Sequence, residues 1–221
     1  RGLVPETIDL GFDLDRLRVV TNPEYEAAAS GRLGVGGSPR APVIHGDVVV
    51  GPAVVRPAML ANAPTAPDPT IEIVGSGAPP TPAQTPGIVD ALAVDLVVRV
   101  GDDVAVRRAD ARIDLGGRLA VTKAPYEPWQ VRGDVRLVRG WTTFEGRRFT
   151  VEPSAIHFDG PPASPALDLA ATTRSAGYDV RVEVTGTPDT PVLALTSEPP
   201  LGESDVLAVL LFGTPTSELG A

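Results

Sequence analysis

The sequence predicts an all-β fold, and three observations carry that reading. Apolar and polar residues alternate with period two, glycine and proline punctuate the alternation, and only one short segment reads as helix. In Tyr178-Asp-Val-Arg-Val-Glu-Val-Thr185 every even position is apolar or aromatic and every odd one polar. Successive side chains of a strand point to opposite faces, so this pattern makes a strand with one apolar and one wet face. The 221 residues include 23 glycines and 24 prolines, yet 43% of the chain is hydrophobic. That is too apolar for a disordered chain, and many short strands joined by turns reconcile the two figures.

The remaining strands follow the same rhythm. Val94-Asp-Leu-Val-Val-Arg-Val100 keeps it with one exception, Val97. Residues 135–152 keep it with interruptions at Gly140 and Gly146, where a strand can bend or turn most sharply. Ala155-Ile-His-Phe-Asp159 and Ala166-Leu-Asp-Leu-Ala170 repeat it. Alternation therefore nominates Val94, Leu96, Val98, Val100, Val135, Leu137, Phe149, Val151, Ile156, Phe158, Leu167, Leu169, Val180, Val182 and Val184 as one apolar face. Such a face lines either a closed core or an open groove, and periodicity alone does not choose.

One helix is expected near the C-terminus, over Asp205 to Phe212. Ser204 suits the cap, Asp205 the positive end of the dipole and Gly213 the stop. Two turns this apolar must dock on something: plugging a groove mouth, covering a sheet edge, or closing an ordinary core.

Residues 57–88 differ in character, with eight prolines between 57 and 86. They read as a Pro-rich linker or insert, with Ile71–Val74 a short strand candidate, between a first β-half, 1–56, and a second, 89–221. The halves resemble each other. Ile8–Leu14 matches Val94–Val100 at an offset of 86, Gly31-Arg-Leu-Gly-Val35 matches Gly117-Arg-Leu-Ala-Val121 at the same offset, and Gly46-Asp-Val-Val-Val50 matches Gly133-Asp-Val-Arg-Leu137 at 87. Ordered matches at near-constant spacing predict an internal repeat and a sheet that extends rather than closes.

A net charge of −9 excludes nucleic acid and a polybasic membrane patch as partners, since both require clustered positive charge. Cysteine is absent, which removes disulfides and thiolate metal sites. His45 and His157 are the only histidines, and neither has metal-ligand spacing; His157 beside Asp159 reads as a surface residue. Asp102-Asp103 reads as an acidic turn, with weak calcium binding as the alternative. Arg147-Arg148 reads as solvated strand-edge charge, with a phosphate headgroup as the alternative. Trp129 and Trp141 read as packing residues. No nucleophilic triad or phosphate-binding loop is legible, so no catalytic residue, cofactor or metal is assigned and a non-enzyme is expected. The longest strongly apolar run, Val206–Phe212, is far short of the roughly 20 residues of a membrane helix, so no transmembrane segment is expected in this chain. It opens on Arg1 rather than Met and is expected to be a fragment of a longer protein.

The second half resembles the C-terminal domain of the TamB family, translocation and assembly module proteins related to AsmA-like and bridge-like lipid-transfer proteins. The residues that carry the resemblance are Arg132-Gly-Asp-Val-Arg-Leu-Val-Arg-Gly140, Phe144-Glu-Gly-Arg-Arg-Phe149, Ile156-His-Phe-Asp-Gly160, Pro165–Ala170, Val184–Thr187, Pro191–Pro199 and Leu201–Gly213. Their order and spacing are the specific signal, and Ser197-Glu-Pro199 followed by Leu211-Phe-Gly213 is its most distinctive part. Residues 1–56 fit only as generic strands. Pro153-Ser-Ala155 stands where a glycine turn is the family pattern. The chain also stops soon after the helix where proteins of this family usually continue, so any terminal partner-binding segment is expected to lie outside it.

The resemblance implies an elongated, curled sheet, a half-pipe or "β-taco" with an apolar groove inside. It implies a protein of the Gram-negative periplasm, anchored in the inner membrane by parts outside this chain. Phospholipid acyl chains would move along the nominated face between inner and outer membrane, with a TamA-like outer-membrane barrel as partner. The alternative is a scaffold or chaperone for outer-membrane protein or autotransporter assembly. A closed β-sandwich binding module is a third arrangement.

Overall fold

The structure, a computed structural model, describes residues 7–21, 25–39, 41–55 and 89–216. Eleven strands and one helix follow in order: β1 (Ile8–Thr21), β2 (Tyr25–Ser38), β3 (Ala41–Val55), β4 (Ala93–Arg107), β5 (Ala111–Lys123), β6 (Gln130–Phe144), β7 (Arg147–Val151), β8 (Ser154–Gly160), β9 (Ala166–Ser175), β10 (Tyr178–Gly186), β11 (Pro191–Glu198) and α1 (Glu203–Phe212). All eleven strands join one curled sheet, running in chain order from β1 to β11. A closed sandwich needs a second sheet, and the described residues form a single one. The Pro-rich linker and the Ile71–Val74 strand candidate lie outside the described residues.

Neighbouring strands pair antiparallel except at one step, where β3 and β4 run parallel. β1–β3 and β4–β6 are thus two three-stranded meanders placed side by side in one sheet. Corresponding residues of the two occupy corresponding registers. Leu14 pairs with Gly31 as Val100 pairs with Gly117, and Leu33 pairs with Gly46 as Leu119 pairs with Gly133.

Beyond β6 the strands shorten. β7 pairs with one end of β6 and β8 with the other, so two short strands share one long neighbour. The break between them is the Glu152-Pro153 step. A proline cannot donate to a ladder, and Ser154 restores the continuity: its hydroxyl donates to Glu152 O (2.8 Å) and accepts from Ala170 N (2.9 Å). Gly146 serves a tight hairpin. Glu145 and Gly146 both have positive φ (48° and 72°), as a two-residue turn matched to strand twist requires.

Gly117 and Gly133 let β5 and β6 approach. Their φ angles are 143° and 117°, and a Cβ at either would stand 2.1–2.2 Å from a carbonyl oxygen of the facing strand. No L side chain fits there, so the sheet can coil tightly at this seam.

Two local expectations are corrected. Asp102 and Asp103 lie inside β4, in the register irregularity between Val100 and Val104, so they form a bulge rather than a turn. The helix begins at Glu203, with Gly202 as its N-cap and no side-chain capping bond; Ser204 lies inside it. Gly213 does end it, in the left-handed conformation (φ 82°).

Candidate apolar groove

Cross-strand partners share a face, so the registers give the composition of the sheet's inner surface directly. One row runs Leu17, Ala29, Val50, Val100, Gly117, Val135, Ile156, Leu167, Gly186, Pro191, crossing ten strands without a polar side chain. A parallel row runs Leu14, Gly31, Val48, Val98, Leu119, Gly133, Phe158. All fifteen positions nominated from the alternation fall on this face.

Burial divides them. Leu96, Val98, Val100, Val135, Leu137, Ile156, Phe158, Leu167, Leu169, Val182 and Val184 are only half-buried, whereas Val94, Phe149, Val151 and Val180 are buried. A valine or leucine facing a closed core is normally covered from above by a second layer. Here most of the face is covered only by its neighbours within the sheet. The inner wall extends further than the nominated residues. Phe12, Leu33, Ile44, Leu115 and Leu119 share it.

Lys123 adds a charged group to this face. It lies on the inner face opposite Val94 at one strand-end rim, 7% exposed. Its ammonium donates to the carbonyls of Asp90 (3.0 Å), Leu92 (3.2 Å) and Ala124 (3.4 Å), which compensates its burial.

At the β11 end α1 lies on the same face. Val206, Val209 and Leu210 pack onto Phe149 and Val180, with Ala171, Tyr178, Val182, Leu195 and Leu201 around them. No basic residue occupies the last turn of α1, and Arg147 supplies the charge from the sheet. Its Nε donates to Leu210 O (2.6 Å) and its guanidinium to Ser175 Oγ (2.7 Å), while Ser175 Oγ donates to Val209 O (2.9 Å). A cation on the last carbonyls complements the negative end of the helix dipole. Arg147 is therefore a helix clamp and not solvated edge charge. Arg148 points to the outer face and stacks on Trp141, 4.3 Å from the ring centroid. Trp129, read as a packing residue, is instead 40% exposed.

The outer face is charged. Arg32 pairs with Asp13, Arg99 with Asp47, Arg139 with Asp114 and His157 with Asp134, at 2.6–3.1 Å. At the β4–β5 connection the side-chain hydrogen bond from Arg108 holds the Asp110 carboxyl below its ordinary pKa. On β10 the bond to Glu183, ahead of the nearby Glu152 charge, raises the Arg181 guanidinium above its own. Exposed pairs like these are screened by water and contribute little, so they mark which face is wet more than they hold the sheet. Among the described residues no cluster of three or more His, Asp or Glu could hold a metal.

The wall is thus a single sheet, apolar within and charged without, carrying a helix clamped over one end. No described helix is long and apolar enough to cross a membrane. The family model of the TamB C-terminal domain matches residues 1–221, the whole chain. The TamB family is a transport or assembly module of the Gram-negative envelope, with a role in outer-membrane assembly. By that match over its full length, the chain belongs to the TamB family as its C-terminal domain.

Proposed function

We propose that the inner face conducts phospholipid acyl chains through the periplasm between inner and outer membrane, in a protein anchored in the inner membrane and working with a TamA-like barrel. The observation that carries this reading is the ten-strand row from Leu17 to Pro191, apolar throughout and mostly half-exposed. Burying hydrocarbon is worth about 0.8 kcal/mol per CH₂, so a chain of roughly 16 carbons gains on the order of 10 kcal/mol at most over water. That can offset leaving a bilayer, and along the row from Leu17 to Pro191 no polar side chain makes a single deep trap. The matching registers of β1–β3 and β4–β6 support reading them as two copies of one unit, which lengthens such a wall without changing its chemistry.

The open edge of β11 favours a second reading. Among the described residues that strand pairs only with β10, and its Val192 and Leu193 are exposed. An unpaired edge can accept a strand of a client barrel protein, as a scaffold for outer-membrane protein assembly would.

Val98→Arg separates the readings. In a conduit the variant folds, because a long side chain can extend along an open groove, but it blocks passage. Photo-crosslinkers at Leu137 and Phe158 then give lipid adducts in the unmodified chain and lose them in Val98→Arg, while crosslinkers at outward Arg136 and Asp179 give none in either. Adducts only with unfolded barrel polypeptides would establish the scaffold reading instead. Loss of folding in Val98→Arg would refute an open groove at that position.

A further inference from the structure

α1 does not lie flush on the sheet. Val206 and Val209 are fully buried against the wall, but on the flank of the helix a cavity of about 290 Å³ remains. Leu207, Leu210 and Leu211, spaced i, i+3 and i+4, form its helical side. Ala171, Val182 and Leu195, cross-strand neighbours on β9, β10 and β11, form its floor. Phe144 and Leu193, 62% and 53% exposed, stand in its wall. We propose that this cavity is a terminal acyl-chain pocket, taking the tail of one phospholipid chain at the end of the apolar face.

Three features select that occupant. The pocket is continuous with the inner face, since Val182 and Ala171 belong to the same surface as Val100 and Ile156. Thr142 is the single polar side chain among the residues that line it. A peptide segment would carry main-chain donors and acceptors into a site with almost nothing to pair them, whereas hydrocarbon brings none. The volume sits at the lower end of small-molecule sites, which suits one chain and not a whole lipid. The packing of Val206 and Val209 and the Arg147–Ser175 clamp together hold the helix over the pocket.

This inference rests on the conduit reading, and one experiment tells the two apart. A photo-crosslinking amino acid is placed at position 207 or at position 98, and the purified chain is irradiated with vesicles of phosphatidylethanolamine and phosphatidylglycerol. Lipid adducts are expected at both positions. Ala171→Trp, which fills the floor, should lower the adduct at 207 by about tenfold, the effect of losing roughly two buried methylene contacts, and leave that at 98 unchanged. If circular dichroism shows Ala171→Trp unfolded, Leu193→Trp at the half-exposed wall is read in its place. Adducts at 98 without any at 207 overturn the pocket and leave the conduit standing. Adducts at 207 without any at 98 do the reverse. An adduct at 207 that survives the filling variant, or crosslinks there to a second copy of the chain in place of lipid, also overturns the pocket.

Discussion

β1–β6 and β7–β11 share one sheet and one alternation, yet they treat the same apolar face differently. In the first region six strands of 13–15 residues present valines and leucines that are mostly half-buried, with Val48, Val94 and Val104 buried. Toward β1, which among the described residues pairs only with β2, Leu10, Phe12 and Leu17 are about half exposed, at 51%, 47% and 51%. In the second region strands of 5–10 residues carry α1 on that face, and Val180 is fully covered. The period-two code is identical on β4 and β10. The packed core around Val180 is built by a ten-residue helix contributed from beyond the last strand.

The sharpest way to test that contrast is Val180→Asp. A lone charge beneath α1 has no partner, and the domain should lose about 3–5 kcal/mol, measured by urea unfolding. A charge at Val98 should cost far less, and equal losses at both sites would erase the distinction between the regions. Arg147→Ala is expected to act on the second region alone. Removing the donor to Leu210 O and Ser175 should cost roughly 1.5–3 kcal/mol and speed hydrogen exchange in α1, with β1–β6 unaffected. Exchange that rises evenly across the sheet would show that the two regions unfold as one. Gly117→Ala probes the first region, where a Cβ meets Asp134 O at 2.1 Å with φ at 143°. A loss on the order of 1–2 kcal/mol is expected there, with exchange in α1 unchanged.

Much of the wall was legible because strand periodicity is a local property. Val94 to Val100 and Tyr178 to Thr185 declare their faces within eight residues, and the registers place the nominated positions on one face of the sheet. The clamp was not legible. Arg147 and Leu210 stand 63 residues apart, and nothing near Arg147 distinguishes a helix clamp from an ordinary edge charge. Asp102-Asp103 misled for a related reason: two acids beside a glycine suit a turn, but pairing on both sides of β4 absorbs them as a bulge. Ser204 is a good capping residue that the chain does not use, since Glu203 already has helical geometry and Gly202 takes the boundary. Local propensity proposes such boundaries, and here the start lies two residues earlier than proposed.

The division into a charged outside and an apolar inside also bears on how the sheet assembles. Eleven strands added side by side could pair in many offsets, and backbone hydrogen bonds alone barely discriminate among them. A slip of one residue, however, exchanges the two faces of a strand completely. On β4 it would turn Asp95 and Arg99 inward and Val94 and Val98 to water, and it would part Arg99 from Asp47. Glycines placed where a facing carbonyl tolerates no side chain penalise the same slip sterically. The wall that suits hydrocarbon is thus also an alignment key, by which each arriving strand is accepted in one register and rejected in the next.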